Sequence, residues 1–474
     1  MSVLRPIFVL IRLYLDKMID FFFSLYWEGK KKVMPDLEKK HAFLTESATS
    51  LAKKIKQKEL KSEELVQAVI ERIKQVNPHL NAIAADRFEA ALEEAREVDK
   101  LINEGLSEEF SKKPLLGVPY TAKESQAVKG MPLTLGLWCR RNEKAAEDSE
   151  AVVRMRAAGA IIVAVTNLPE MLIWQETRNP VYGMTTNPHH TGRSPGGSSG
   201  AEAALTATYA TPISMCTDIG GSTRMPAFYC GMFGHHPTAG TTNTKGCFYR
   251  NGDEDSMFCL GFISKHVEDL APLTKIVAGD KADLLKLDTD VDIKNIKFYY
   301  VETSNDCHVS PLRSEMTDAM QSVVKKIQED LNASPQSYYH DGLDYMYKLW
   351  CYWMSKEPGN YASMLNNGVG EMHGFRELFK KGKLGDNGVL LFPSAPHASP
   401  YNYSCYLRPY NFSYWSLVNV LKCPATQVPL GKNSQGLPIG IQVLAAPYND
   451  ALCLAVAKYL EKEFGGAIAA CKVK

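Results

Sequence analysis

"RSPGGSSGAEAALTATYATPISMCTDIGGSTRMPA", Arg193 to Ala227, contains a glycine-serine loop, an apolar run of helical character, the β-like run "PISMCT" and a second glycine loop. Such a segment belongs to a chain in which helices and strands take turns. The alternation continues outward on both sides. "LLGVPYTA", "AIIVAVTN", "IKFYYVE", "VLLFP" and "IGIQVLA" are short β-rich runs, and helical stretches such as Asp148 to Ala158 separate them. This order predicts an α/β sheet covered by helices on both faces. No linker rich in Pro, Gly or Ser divides the chain and no internal repeat is present, so one large domain is expected.

Nearer the N-terminus, Thr49 to Pro78 reads as two amphipathic helices, the second capped near Ser62 and stopped at Pro78. "FEAALEEAREVDKLI" is another helix, ended at Gly105, whereas Asn332 to Lys383 shows no clear period. With 474 residues and 45% hydrophobic content the chain can bury a large core. Lys and Arg number 54 against 53 Asp and Glu, a net charge of +1, so no global field attracts nucleic acid. The 11 cysteines form no CxxC pair and no HExxH occurs, which suggests neither a disulfide framework nor a zinc site. An intracellular, reducing compartment is the expectation, with no metal and no cofactor.

"PIFVLIRLYLDKMIDFFFSLYW", Pro6 to Trp27, is long enough to cross a bilayer but carries Arg12, Asp16, Lys17 and Asp20. At about 2.5 to 3.5 kcal/mol per central charge, simple spanning is disfavoured. On a helix, Arg5, Arg12, Asp16 and Asp20 share one narrow arc with Lys17 somewhat outside it, and the remaining face is Ile, Val, Leu, Tyr and Phe. That pattern suits a helix lying in the membrane interface, followed by Lys30, Lys31 and Lys32 where anionic headgroups would help. The alternative is a helix docked on the protein itself.

In the first glycine loop, Ser199 at a helix N-cap with Glu202 three residues later matches a capping box. Ser198 is left with no structural task. Gly196 to Gly200 also spells G-x-S-x-G, but a nucleophile elbow needs a preceding strand and "NPHHTGRS" is a poor one. In the second loop, Asp218, Ile219, Gly220, Gly221 and Ser222 turn the chain after a β-run. Consecutive glycines let backbone N–H groups converge on an oxyanion, which makes Ser222 a candidate nucleophile. Its base could be His235 or His236, although "FGHHP" reads equally as a turn with one packed histidine. Lys123, at the end of an apolar β-like run, could serve if burial favours its neutral form, or could be a surface lysine paired with a neighbour.

These residues carry a resemblance. "GVPYTAKES", "TNLPE", "NPVYGMTTNP", "PGGSSGAEAAL", "TDIGGSTRMPA", "FGHHPTAG", "VEDLAP" and "CPATQVPLG" followed by "GLPIGIQV" occur in the order of the amidase signature family, from about Glu46 onward. Within it, "MPAFYCGMFGH", "SKEPGN", "LRPYNFSYW" and "YLEKEFGG" resemble the type-two fatty acid amide hydrolases. The resemblance implies a mixed central sheet flanked by helices on both faces, in a catalytic domain over residues 40–474 behind a membrane-associated segment over residues 1–32. It implies a Ser-cisSer-Lys triad in which Ser222 attacks, Ser198 relays the proton and Lys123 is the base. Ile219, Gly220, Gly221 and Ser222 would give backbone N–H groups to the oxyanion, with Asp218, Arg224 and Ser199 in support. The substrate implied is a lipid amide; homo-oligomerisation is left open.

Ala201, Thr223, His236 and Phe262 depart from the residues usual in the family, and the segment near Gly385 looks shorter. None of these removes a triad atom. An amidase of small or aryl amides is the second reading, an amidotransferase subunit a third, and a catalytically silent, ligand-binding relative the one outside the enzyme class.

Overall fold

The structure, a computed structural model, describes residues 5–474 apart from 106, 248–249, 251, 253–255 and 358–383. Part of the aperiodic stretch from Asn332 to Lys383 therefore lies outside the described residues.

Eleven strands form one mixed sheet. In chain order the strands of the fold are β1 (Ile83–Asp86), β2 (Pro119–Lys123), β3 (Ile161–Thr166), β4 (Arg178–Asn179), β5 (Gly183–Met184), β6 (Ile213–Asp218), β7 (Phe233–His236), β8 (Cys259–Ser264), β9 (Lys297–Tyr300), β10 (Gln336–Ser337), β11 (Gly388–Pro393), β12 (Ala425–Lys432) and β13 (Pro438–Ala445). The sheet runs β1-β3-β2-β6-β8-β7-β12-β13-β11-β9-β10, and β4 pairs only with β5. β2 lies parallel to both β3 and β6, while β6, β8, β7, β12 and β13 are antiparallel neighbours. Every residue of β2, β3, β6, β8 and β11 is buried, so these strands are covered on both faces, as a helix-flanked sheet requires. The single α/β domain expected from the alternating pattern is the one observed.

Local readings needed correction where tertiary contacts replaced local signals. The helix Ser62–Leu80 buries Leu65, Val66, Val69, Ile73, Val76 and Leu80 at helical spacing, each contributing about 1.5–3 kcal/mol. Ser62 does not cap it: the Asp99 carboxylate accepts from the Ser62 and Glu63 N–H groups at 2.8 and 3.0 Å, and Ser62 Oγ donates to the Gly117 carbonyl. Nor does Pro78 stop it; the helix ends at Asn81, whose φ of 53° closes it, because a proline costs only one N–H so near the end. "FGHHP" is no turn. Its Phe233–His236 segment is strand β7, with both histidines buried.

The N-terminal helix, Arg5–Trp27, turns Arg12, Asp16 and Asp20 toward the protein and leaves Lys17 exposed. Asp16 is buried beside Arg12, and Asp20 accepts from Arg313 and from Arg408 Nη2, the latter at 2.7 Å. Burial would raise the Asp20 pKa, but Arg408, His397 and Arg313 bring it down to about 2. Trp27 stacks on Tyr403, and Glu28 meets His190 at 3.2 Å and accepts from the Tyr401 hydroxyl. The outward face is apolar: Leu10, Tyr14, Met18, Phe21 and Phe22 are exposed, and Leu25 is 69% exposed. Among the described residues no helix is long and apolar enough to cross a membrane.

Candidate active site

Parallel pairing of β2 with β6 brings the carboxyl ends of both strands to one edge of the sheet, where open α/β sheets place their ligands. β2 ends in Lys123 and β6 in Asp218. Lys123 is fully buried, and its ammonium donates to Ser198 Oγ at 2.6 Å, Ser199 Oγ at 2.9 Å and Thr217 Oγ1 at 3.1 Å. Three hydroxyls thus satisfy the three donors of a charged lysine. Burial lowers its pKa to about 8, against the opposing charges of Glu202, Cys216 and Asp218. The group is therefore poised to lose its proton slightly above neutrality, a poor condition for a structural cation and a good one for a base.

The peptide bond between Gly197 and Ser198 is cis. A side chain at Gly197 would come within 2.3 Å of the Trp174 carbonyl, so only glycine lets the loop pass there. Ser199 precedes the helix Gly200–Thr206, but its side chain makes no capping bond; its oxygen accepts from Lys123 instead, and its N–H donates to the Ser222 carbonyl at 3.2 Å. Glu202 completes no capping box either. It is fully buried, and burial raises its pKa to about 7 although Lys123 pulls it down. The spacing of a capping box is present without its contacts, because Ser199 Oγ is engaged by the buried Lys123 instead of the backbone.

The second loop is held from beneath. Asp218 accepts from Arg224 Nε and Nη2, both at 3.1 Å, from Asn419 Nδ2 at 2.9 Å and from the Thr223 N–H at 3.1 Å. Burial alone would raise the Asp218 pKa; the charges of Arg224 and His236, with hydrogen bonds from Arg224 and Asn419, hold it well below the carboxylate range. Arg224 is itself fixed by Gln442 Oε1 and Asn419 Oδ1, both at 2.7 Å, and by the Trp415 carbonyl. Of the four N–H groups expected to face an oxyanion, that of Gly221 is already given to Asp218 Oδ1 at 2.7 Å. Those of Ile219, Gly220 and Ser222 have no acceptor among the described residues. At Gly221 φ is 106°, and a Cβ would strike Trp415 at 2.2 Å.

Ser222 is 9% exposed, and its hydroxyl takes no hydrogen-bond partner among the described residues. It lies on the wall of a cavity of about 280 Å³ with Gly197, Ile219 and Gly220, facing apolar side chains that include Met171, Trp174, Trp350 and Phe412. The structure thus brings Lys123, Ser198 and Ser199 into direct contact and ties the Ser222 carbonyl to the Ser199 N–H by a backbone hydrogen bond. It does not bring the histidines there. His236 Nδ1 sits 2.9 Å from Cys259 Sγ and 3.7 Å from Asp218, and burial lowers its pKa to about 3, which keeps the ring neutral. Thr217, Asn419, Gln442 and Arg250 escaped sequence reading. Thr217 alone carried a usable signal, since it lies one residue before Asp218 on a strand parallel to that of Lys123.

Residues 64–377 and 287–454 match the family model described as Amidase. Fatty-acid amide hydrolase 2-A of Danio rerio is 37% identical, with 89% of each chain covered, and fatty-acid amide hydrolase 2 of Homo sapiens is also 37% identical over 89% of each. A solved structure described as fatty acid amide hydrolase superposes with a TM-score of 0.77 at 20% identity, covering 91% of this chain and 87% of that one. At that identity the superposition speaks for the fold.

Proposed function

The chain belongs to the amidase family and is an amide hydrolase acting on carbon–nitrogen bonds; on that premise we propose that it hydrolyses fatty acid amides with Ser222 as nucleophile, Ser198 as proton relay and Lys123 as base. One observation carries the reading: a buried lysine, held 2.6 Å from the Ser198 hydroxyl, behind a serine on the wall of an apolar cavity. Neutral Lys123 takes the Ser198 proton, Ser198 takes that of Ser222, and the Ser222 oxygen attacks the amide carbon. The N–H groups of Ile219, Gly220 and Ser222 meet the developing oxyanion, each such donor being worth about 3 kcal/mol. The proton then returns through Ser198 to the leaving nitrogen, without which an amine is expelled poorly. Water releases the fatty acid from Ser222 by the same route.

The apolar lining favours a lipid acyl chain over a small or aryl amide. The outward apolar face of Arg5–Trp27 supports docking at the membrane, where such a substrate partitions. In this reading residues 1–32 contact the membrane surface and residues 40–474 perform the chemistry. Comparing kcat/KM for a long-chain primary amide with that for acetamide tests the substrate class. A preference of about 100-fold or more for the long chain is expected from burying several CH₂ groups at about 0.8 kcal/mol each; equal turnover would shift the reading to a general amidase.

A further inference from the structure

Glu202 is fully buried, yet neither oxygen of its carboxyl has a hydrogen-bond partner among the described residues. The Thr166 hydroxyl approaches it but donates to the Ala122 carbonyl at 3.1 Å. A buried carboxyl left unpaired is costly, and the capping box that would have used it is absent. Its place in the fold supplies the partner. Thr121 Oγ1 and Ser214 Oγ meet at 2.7 Å between β2 and β6, so Lys123, two residues on, rises from the same face of the sheet. The helix Gly200–Thr206 lies on that face: Thr206 Oγ1 is 3.3 Å from Ser214 Oγ and donates to the Glu202 carbonyl at 2.9 Å. Lys123 is also in register with Thr166 on β3. Glu202 and Lys123 thus occupy one layer between helix and sheet, and each is the largest opposite charge acting on the other.

The other titratable groups on the elements packed around them are committed or neutral. Asp218 is fixed on Arg224, Arg72 donates to the Thr208 carbonyl at 2.8 Å, and Glu124 accepts from the Thr134 and Leu135 N–H groups. Burial pushes up the thiols of Cys216, Cys230 and Cys259 and the phenols of Tyr120 and Tyr229, so none of these is an anion near neutrality. Among the described residues, Glu202 is therefore the uncommitted carboxylate beside Lys123. When the lysine accepts a proton, an ammonium forms out of reach of water, and the hydroxyls around it supply hydrogen bonds but no charge. We propose that Glu202 is a positioning residue that acts through Lys123: its carboxylate stabilises the ammonium formed when Lys123 takes the Ser198 proton, and so keeps the lysine a strong enough base to activate Ser222. Glu202 itself takes no proton in the step. Its carboxyl ionises at about 7 and the lysine is neutral above about 8, so the counter-charge is in place where the base works. This inference rests on the reading of Lys123 as base in the previous subsection.

The test follows the rate of fluorophosphonate labelling at Ser222 against pH in purified full-length protein, a readout that does not depend on which amide is the substrate. Wild type should rise with pH to a plateau above about 8. Glu202→Gln, which keeps the shape and removes the charge, should move the rising limb down by about one pH unit and lower the plateau about tenfold. Glu202→Asp, whose carboxylate is drawn back by one methylene, should fall between the two, and it decides alone if the glutamine variant does not fold. A slower reaction whose limb stays at the wild-type pH is the mark of a merely structural role and overturns the inference. Lys123→Ala separates this outcome from failure of the parent reading. If Lys123→Ala keeps the wild-type pH profile, Lys123 is not the base and both fall; if it loses the limb while Glu202→Gln leaves the limb in place, the triad stands and the inference alone falls.

Discussion

Two regions of this molecule draw polar groups away from water, one wholly and one in part, and they use them in opposite ways. At the sheet edge, Lys123 is buried among Ser198, Ser199 and Thr217, and burial shifts its pKa toward neutrality. In the N-terminal helix, Asp20 is drawn onto Arg313 and Arg408, and its pKa is pushed away from neutrality. The difference lies in the partners. Neutral hydroxyls satisfy hydrogen bonds without fixing a charge, so the lysine can change its protonation state. Two guanidinium groups fix the aspartate as an anion, so it can only hold.

The comparison breaks most visibly at the loop. Ser222→Ala should lower hydrolysis by about 10⁴-fold or more, with an unchanged circular dichroism spectrum and melting profile; retained turnover would remove the nucleophile assignment. Lys123→Ala should lower kcat/KM by about 10³-fold. In the wild type kcat/KM should rise with pH through about 8, because only the neutral lysine accepts a proton. A pH profile shared by wild type and Lys123→Ala would contradict its role as base.

At the helix the expected effects are smaller and fall on stability and binding. Asp20→Ala leaves the buried Arg408 without its carboxylate and should cost about 3 kcal/mol in urea unfolding. Because the folded pKa of Asp20 lies below its ordinary 3.8, that stabilisation is present above the ordinary value and fades as the pH falls through about 2. Phe21→Ser and Leu25→Ser, on the outward face, should each weaken binding to phospholipid vesicles about tenfold while leaving turnover of a water-soluble amide unchanged. Vesicle binding equal to wild type would place the membrane contact elsewhere. These substitutions are a cleaner probe than deleting residues 1–32, which would also strip Arg408 of Asp20.

Sequence reading served best where signals are periodic or carried by a whole motif. The largely apolar runs "AIIVAVTN" and "PISMCT" announce buried strands because a strand covered on both faces has no reason to alternate. It served least where a distant residue supplies the partner. Ser62 and Ser199 both stand where caps stand, yet Asp99 caps one helix and Lys123 engages the other serine. Strand β7 hides behind two histidines, whose burial beside Thr426 and Cys259 depends on strands late or distant in the chain. The polar arc of the N-terminal helix was legible, but its direction was not, since Arg313 and Arg408 lie hundreds of residues away.

The proposed chemistry depends on Ser222 as a nucleophile made reactive by Lys123. The most direct test is labelling of purified protein with a fluorophosphonate, with the modified residue located by peptide mass spectrometry in wild type, Lys123→Ala and Ser222→Ala. Modification confined to Ser222, slowed by orders of magnitude in Lys123→Ala, absent in Ser222→Ala and blocked by a long-chain amide, is the predicted result. A folded wild type that stays unlabelled, or labels on another residue, would contradict it.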